Sequence, residues 1–153
     1  MTKITLSDKI GIDAPVGRVS EFTTNFKDIA SCIPAAKDFR QIDGKSFSVN
    51  VTISLAFING EFEVTCTLVE KAKGHVAYTM EGSGVGSTMM IRLAIDMHPK
   101  GSRSTDVSWR SDTEIRGLAS GVSESVLRKV SEGNIGRIIS NVKTKLEKGS
   151  GGR

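Results

Sequence analysis

Apolar and polar residues alternate through most of the chain between residues 37 and 115. The clearest run covers residues 47–57, where Phe, Val, Ile and Leu alternate with Ser, Asn, Thr and Ala, and a similar run covers residues 4–12. Because successive side chains of a strand point to opposite faces, each run predicts a strand with one buried face. Turn dipeptides at residues 43–44 (Asp-Gly) and 59–60 (Asn-Gly) separate consecutive runs, so the pattern predicts an antiparallel sheet of about seven strands.

Helical spacing replaces the alternation on both sides of the long sheet region. After Asp13, a capping residue, and Pro15, apolar residues recur at helical spacing and predict a short helix. A second short helix over residues 29–33 ends at Pro34, because the residue before a proline is pushed out of the helical region. Beyond residue 117, apolar residues recur every four positions and predict one amphipathic helix of roughly 30 residues. The stripe of that helix comprises Leu118, Val122, Val126, Leu127, Val130, Ile135, Ile138, Ile139, Val142 and Leu146.

This order of elements predicts an α+β fold in which the long helix covers a one-sided sheet. The 153 residues, 38% hydrophobic and 25% charged, suit a single domain over residues 1–148, followed by a flexible tail at residues 149–153. No stretch approaches the roughly 18 apolar residues of a membrane span, and the N-terminus does not resemble a signal peptide. A cytoplasmic protein is therefore expected.

The charge of the chain narrows the classes of partner. A net charge of +4 favours acidic partners only weakly, and one Trp and one Tyr offer few platforms for stacking bases, so no nucleic-acid role is expected. The basic residues of the long helix are interleaved with glutamates, which is typical of a solvated face. Docking on anionic lipid or on an acidic protein is the alternative.

Cysteine and histidine, the residue types that most often act as nucleophiles or metal ligands, have no suitably spaced catalytic or ligating partner in the sequence. Cys32 and Cys66 occupy apolar settings that predict packing rather than reactivity. His75 and His98 lack the spacing of metal ligands, so neither a metal nor a cofactor is expected. A strand rather than a helix follows the glycine-rich residues 82–86, which argues against a dinucleotide fingerprint and predicts a mobile loop at the mouth of the fold.

The predicted inward positions hold the mixture of residues that is typical of a ligand pocket. Methionine and aromatic side chains give an adaptable apolar wall with a polar handle, and an inward hydroxyl needs a bond or a cavity. The residues predicted to line such a cavity are Phe57, Phe62, Tyr78, Met80, Met89, Trp109, Ser111, Leu118, Val122 and Val126. A filled core, with its hydroxyls bonded to the backbone, is the alternative, and the residues alone leave the two open.

Three local motifs resemble those of a known family. Residues 13–15 (Asp-Ala-Pro) resemble the motif at the start of its first helix, residues 28–34 (Asp-Ile-Ala-Ser-Cys-Ile-Pro) its corner, and residues 81–86 its glycine-rich turn. On these motifs the chain, over residues 2–146, resembles the CoxG-like family of carbon monoxide dehydrogenase subunits, which belongs to the START-like/polyketide cyclase superfamily. Ala35 stands where that family usually has glycine.

The resemblance implies a helix-grip fold and a function in binding. The fold is a curved antiparallel sheet of about seven strands around a long C-terminal helix, with two short helices after the first strand and a cavity between sheet and helix. The function is non-enzymatic binding of a hydrophobic small molecule, lipid or quinone-like, with the glycine-rich loop gating access.

The same resemblance implies a partner and a place. The bound molecule would serve a molybdenum-containing carbon monoxide dehydrogenase or related hydroxylase, in maturation, membrane recruitment or electron-carrier delivery. Any contact with the inner face of the membrane is expected to be peripheral, because no apolar extension follows the long helix. Two alternatives remain: a polyketide cyclase-like enzyme, for which the inward positions offer no carboxylate or histidine, and a protein-interaction module with a vestigial cavity.

Overall fold

In the computed structural model the backbone is described for residues 1–151 and the side chains for residues 1–148. The elements in chain order are β1 (Thr2–Ile12), α1 (Val16–Thr24), α2 (Phe26–Ala30), β2 (Ala36–Gln41), β3 (Ser46–Leu55), β4 (Ile58–Ala72), β5 (His75–Gly84), β6 (Ser87–Pro99), β7 (Thr105–Gly117), a 3-10 turn (Leu118–Gly121) and α3 (Glu124–Gly151). Of the predicted flexible tail, residues 149–151 continue the backbone of α3 and residues 152–153 lie outside the described residues, so its flexibility stays a prediction.

The seven strands form one antiparallel sheet in the order β1-β7-β6-β5-β4-β3-β2. The first strand lies beside the last, with Thr2 opposite Ile115 and Ile12 opposite Thr105. From β1 the chain crosses through α1 and α2 to the far edge at β2 and returns through consecutive hairpins. The predicted fold class is confirmed: a curved seven-stranded antiparallel sheet with two short helices and a long C-terminal helix.

The second short helix, predicted over residues 29–33 with its end at Pro34, is observed as α2 over Phe26–Ala30, and residues 31–35 form the corner that leads into β2. Asn25 caps α2, because its side chain accepts a hydrogen bond from the Asp28 amide at 3.1 Å. The chain then turns at Pro34 and enters the sheet through Ala35, whose φ of 59° lies in the left-handed region. Only glycine adopts that region without steric cost, which explains why the family that the motifs resemble usually has glycine where this chain has Ala35.

Two buried clusters fill the space between the sheet and the helices. The larger cluster joins α1, α2 and the second half of α3 to the sheet around Phe47, Val76 and Leu146. The smaller cluster lies at the opposite end of the sheet and consists of Ile4, Ile58, Phe62, Ile115, Ala119, Val122 and Leu127. Val64 packs against both clusters, so the region around it is where the core divides.

Two further predicted boundaries are wrong for reasons of backbone geometry. The turn between β3 and β4 lies at Ala56 and Phe57, with Ala56 at a φ of 51°, rather than at the Asn-Gly pair at residues 59–60. The long helix begins at Glu124 rather than at Leu118, because Gly117, at a φ of 83°, turns the chain into a separate 3-10 segment. The apolar spacing across residues 118–122 therefore belongs to a turn and not to the helix.

The glycine-rich stretch forms a tight hairpin rather than a mobile loop. Val85 and Gly86, the two residues between β5 and β6, have φ values of 49° and 66°, which is the pattern of a type I′ turn. A side chain at Gly84 would collide with the backbone of Glu61. The predicted gating loop is thus a two-residue turn whose glycines allow close backbone contact.

Candidate ligand-binding cavity

A cavity of about 250 Å³ lies between the sheet and α3, in the region where the two clusters separate. Its inner surface is apolar and comes from the corner between α2 and β2, from β3 to β6 and from α3. The apolar lining residues are Ile33, Pro34, Ala35, Val51, Ile53, Val64, Met80, Met89, Ile91, Val130, Ile135 and Ile138. Gly82 and Thr113 complete the inner wall, and Ser131, Asn134 and Arg137 of α3 form a polar rim. Thr52 and Ser54 border the mouth on β3, with their side chains on the outer face of the sheet.

The mouth of the cavity exists because β2 is shorter than β3. The pairing of β2 with β3 ends where Ala36 faces Val51, so in the described chain residues 52–55 of β3 pair only with β4. This uncovered part of β3 forms one lip of the mouth, and the α3 segment from Val130 to Ile138 forms the other. A longer β2 would cover the opening.

The floor of the cavity owes its depth to small and flexible side chains. Gly82 is buried in β5 directly opposite Met89 of β6, and the end of the Met89 side chain lies 3.4 Å from where a Cβ on Gly82 would stand. A methyl group at this position would only reach van der Waals contact with Met89, so glycine leaves this part of the floor open. Because methionine side chains adapt to irregular shapes, a floor that includes Met80 and Met89 can adjust to a ligand.

A second, smaller void of about 40 Å³ lies deeper in the core, towards α1. It shares Ile33, Met80 and Ile138 with the outer cavity, so these three side chains form the partition between the two spaces. Tyr78 closes the inner void, and its hydroxyl donates to the Thr23 carbonyl oxygen at 2.7 Å. Burial raises the pKa of Tyr78, which keeps the phenol neutral and committed to this bond.

The structure places only some of the sequence-predicted lining residues at these spaces. Met80 and Met89 line the outer cavity, and Met80 and Tyr78 line the inner void. Phe62 and Val122 are buried in the smaller cluster instead. These two side chains support one end of the fold and do not border either space.

Trp109 and Ser111, the two residues of β7 that were predicted to line the cavity, also lie away from it. Trp109 is half-buried and packs against the larger cluster. Ser111 is fully buried, and its hydroxyl is the one buried side-chain polar atom in the described residues without a hydrogen-bond partner. Its neighbour Thr113, on the same face, does line the cavity.

Three predicted lining residues lie on the surface. The exposed fraction is 62% for Phe57, 59% for Leu118 and 40% for Val126. Phe57 occupies the tip of the β3–β4 hairpin, and Leu118 follows the turn at Gly117, so neither continues the alternation or the helical stripe that placed it inside. At the start of α3 it is Leu127, 2% exposed, that packs into the core.

The sequence did not predict the polar rim on α3 or the part of β3 that forms one lip of the mouth. The polar residues Ser131, Asn134 and Arg137 recur every three positions along the border of the α3 stripe, and that spacing was the available signal. By itself it is equally typical of a solvated face. Val51 and Ile53 were predicted only to share the buried face of a strand, because the sequence does not show that β2 stops beside them.

No acid or base suited to catalysis lines either space. Among their lining residues Arg137 alone carries a charge, and no carboxylate or imidazole is present. His75 is the first residue of β5, and its Nδ1 lies 2.7 Å from Asp96 Oδ1, whereas His98 is exposed. In the described residues no group of three or more His, Cys, Asp or Glu side chains is placed to hold a metal ion.

Both cysteines are buried thiols. Cys32 is fully buried, and burial raises its pKa despite the nearby Lys145. Burial raises the pKa of Cys66 to about 12. A thiol held protonated is a poor nucleophile, so the predicted packing role of both cysteines is confirmed.

Several basic residues of α3 are engaged within the fold. Lys143 Nζ donates to the Gly11 carbonyl oxygen at 2.7 Å and pairs with Glu147 at 2.6 Å. Lys145 Nζ lies 2.8 Å from Ser31 Oγ. These contacts fasten α3 to β1 and α2, so this part of the basic face has a structural role.

Within the described residues, no helix is long and apolar enough to span a bilayer.

A curved antiparallel sheet that grips a C-terminal helix is the START-like fold, and solved structures share it. A conserved protein from Geobacillus kaustophilus is 16% identical, with a TM-score of 0.85 over 95% of this chain and 96% of its own. A START superfamily protein from Mycobacterium smegmatis is 15% identical, with a TM-score of 0.74 over 94% and 97%. ZhuI aromatase/cyclase from Streptomyces sp. R1128 is 14% identical, with a TM-score of 0.70 over 96% and 95%.

At these identities the likeness is one of fold. The family model for CoxG, a subunit of carbon monoxide dehydrogenase, matches residues 9–147. The chain therefore belongs to the CoxG family of carbon monoxide dehydrogenase subunits, which confirms the family that the sequence motifs predicted. No curated protein matches it.

Proposed function

We propose that this protein is a non-enzymatic carrier that holds a hydrophobic small molecule, lipid or quinone-like, between its sheet and α3. The observation that carries the proposal is the cavity of about 250 Å³, whose inner wall is apolar and whose polar groups are confined mainly to the rim. Ligand pockets typically combine such walls with a few polar groups that orient the ligand. Burial of apolar ligand surface would supply about 25 cal/mol per Å² before the entropic costs of binding.

The lining argues for binding rather than for catalysis. Cyclase chemistry on the same fold needs an acid or a base close to the reacting atoms. The cavity offers a threonine hydroxyl on its wall and hydroxyl, amide and guanidinium groups on its rim. These groups orient a ligand by hydrogen bonds, but none is a proton acceptor near neutral pH.

Membership of the family suggests the partner. We propose that the carrier serves a carbon monoxide dehydrogenase or related molybdenum hydroxylase in maturation, membrane recruitment or electron-carrier delivery. It would act in the cytoplasm with peripheral contact to the membrane. Co-purification from the native cells tests this proposal, and a hydroxylase subunit retained with the protein is the expected result.

Calorimetric titration with a short-chain quinone and, separately, with a medium-chain fatty acid tests the carrier proposal. Saturable binding of at least one of them to one site is expected. Ile53→Trp should fill the mouth and weaken that binding at least about tenfold, since a bulky ring would occupy the volume of the ligand. Val69→Trp is the matched control, because Val69 is 52% exposed and lies outside the cavity. Absence of binding by the unmodified protein, or equal weakening by both variants, would refute the carrier proposal.

A further inference from the structure

The rim of the cavity is built almost entirely of hydrogen-bond donors. Ser131, Asn134 and Arg137 follow one another at intervals of three residues along α3, so they lie on one side of the helix above the mouth. Thr52 and Ser54 border the mouth on β3, but they alternate with the inward Val51 and Ile53, so their side chains lie on the outer face of the sheet. The floor below the three α3 residues is apolar, so the cavity has one polar end and one apolar end.

The donors on α3 are not used by the protein itself. In the described part of the chain Ser131, Asn134 and Arg137 form no side-chain hydrogen bond, and Arg137 forms no ion pair. Other basic residues of the same helix do have partners, for example Lys143 with Glu147. Arg137 is therefore an exposed cation at the mouth of an apolar cavity, and it forms no ion pair within the described residues.

We propose that the bound molecule is a single-chain amphiphile with a carboxylate head, held head-outward by Arg137 and Asn134 with its alkyl chain directed towards Met80. This inference rests on the proposed function and narrows it to one class of ligand. The guanidinium group offers a fork of donors that matches the two oxygens of a carboxylate. The lining contains no acidic residue to oppose the head.

The inference is tested with probes that differ only in the head group. Dodecanoic acid and dodecanol share a chain length, so calorimetric titration of each against the full-length protein isolates the contribution of the carboxylate. The acid is expected to bind about tenfold tighter, since a charge-assisted hydrogen bond is worth roughly that factor. Arg137→Gln should abolish the preference while leaving the affinity for dodecanol unchanged.

Lys129→Gln is the matched control. Lys129 is an exposed cation on the same helix, and it does not line the cavity. Its replacement removes the same charge from α3 and should preserve the preference for the acid. Equal affinities for acid and alcohol in the unmodified protein would overturn the head-group inference but not the carrier proposal. A preference that survives Arg137→Gln, or that falls equally in Lys129→Gln, would also overturn it. Failure of both probes to bind would overturn the carrier proposal and this inference with it.

Discussion

Ser111 and Thr105 lie on the same face of β7 and are both fully buried, but their hydroxyl groups differ in bonding. Thr105 Oγ1 donates to the Ala14 carbonyl oxygen at 2.8 Å. Ser111 Oγ has no hydrogen-bond partner within the described residues. A buried polar group without a partner costs about 1–3 kcal/mol. Ser111→Ala removes that group at the cost of a void of one atom, so the free energy of unfolding should rise by about 1 kcal/mol.

Thr105→Val is the matched comparison, because it removes a hydroxyl from the same face of the same strand and keeps the shape of the side chain. It leaves the Ala14 carbonyl oxygen unpaired, so the free energy of unfolding should fall by about 1–2 kcal/mol. Urea denaturation followed by circular dichroism measures both changes. Each kcal/mol should move the thermal midpoint by about 2–4 °C in a chain of this length. If Ser111→Ala is destabilised as much as Thr105→Val, the Ser111 hydroxyl does have a partner and the reasoning is wrong.

Three further predictions concern the corner, the partition and the sheet surface. Ala35 has a left-handed φ of 59°, which costs an L-residue about 1–2 kcal/mol, and Ala35→Gly relieves that strain. Because glycine also raises the entropy of the unfolded chain, the free energy of unfolding in urea should rise by up to about 1 kcal/mol. A decrease would show that Ala35 is not strained. Met80→Ala should join the inner void to the cavity, so the fatty acid that binds most tightly in a calorimetric series should have a longer alkyl chain. Met80→Trp should shift the tightest binding to a shorter alkyl chain. If neither variant changes the preferred chain length, Met80 does not separate the two spaces. The hydrogen bond to Asp96 raises the pKa of His75, so its stabilisation is complete below the unfolded-state pKa and is lost as the pH rises through the raised one. Because the pair is partly exposed to solvent, that loss should stay below about 1 kcal/mol. Asp96→Asn should flatten the pH dependence in urea titrations between about pH 6 and pH 8, and an unaltered slope would show that the pair does not form.

The faces of the strands could be predicted from the sequence because alternation is a local property. Thr105, Val107, Thr113 and Ile115 share the inward parity of β7, and all four are buried in the structure. The same logic placed Tyr78 and Met80 inside. The corner motif around Pro34 was also local, which is why it identified the family before any strand pairing was known.

Turns and helix ends depended on backbone geometry that composition describes poorly. Ala56 and Val85 adopt positive φ in hairpin turns, although glycine or asparagine usually occupies such positions. The Asn-Gly pair at residues 59–60 was the stronger local signal, yet it lies within β4. Pairing along the whole of β3 and β4 outweighed that local preference, and so Phe57 became the tip of a hairpin.

The candidate site depended on tertiary structure because its features come from distant parts of the chain. The mouth opens where β2 stops pairing beside Val51, and no local pattern marks that point. Ser131, Asn134 and Arg137 have the composition of a solvated helix face, and only the position of α3 against β3 turns them into a rim. The sequence alone determined which side chains face inward, since each strand alternates independently of its neighbours. Whether those side chains meet or leave a cavity was decided by the lengths and curvature of strands that pair only after folding.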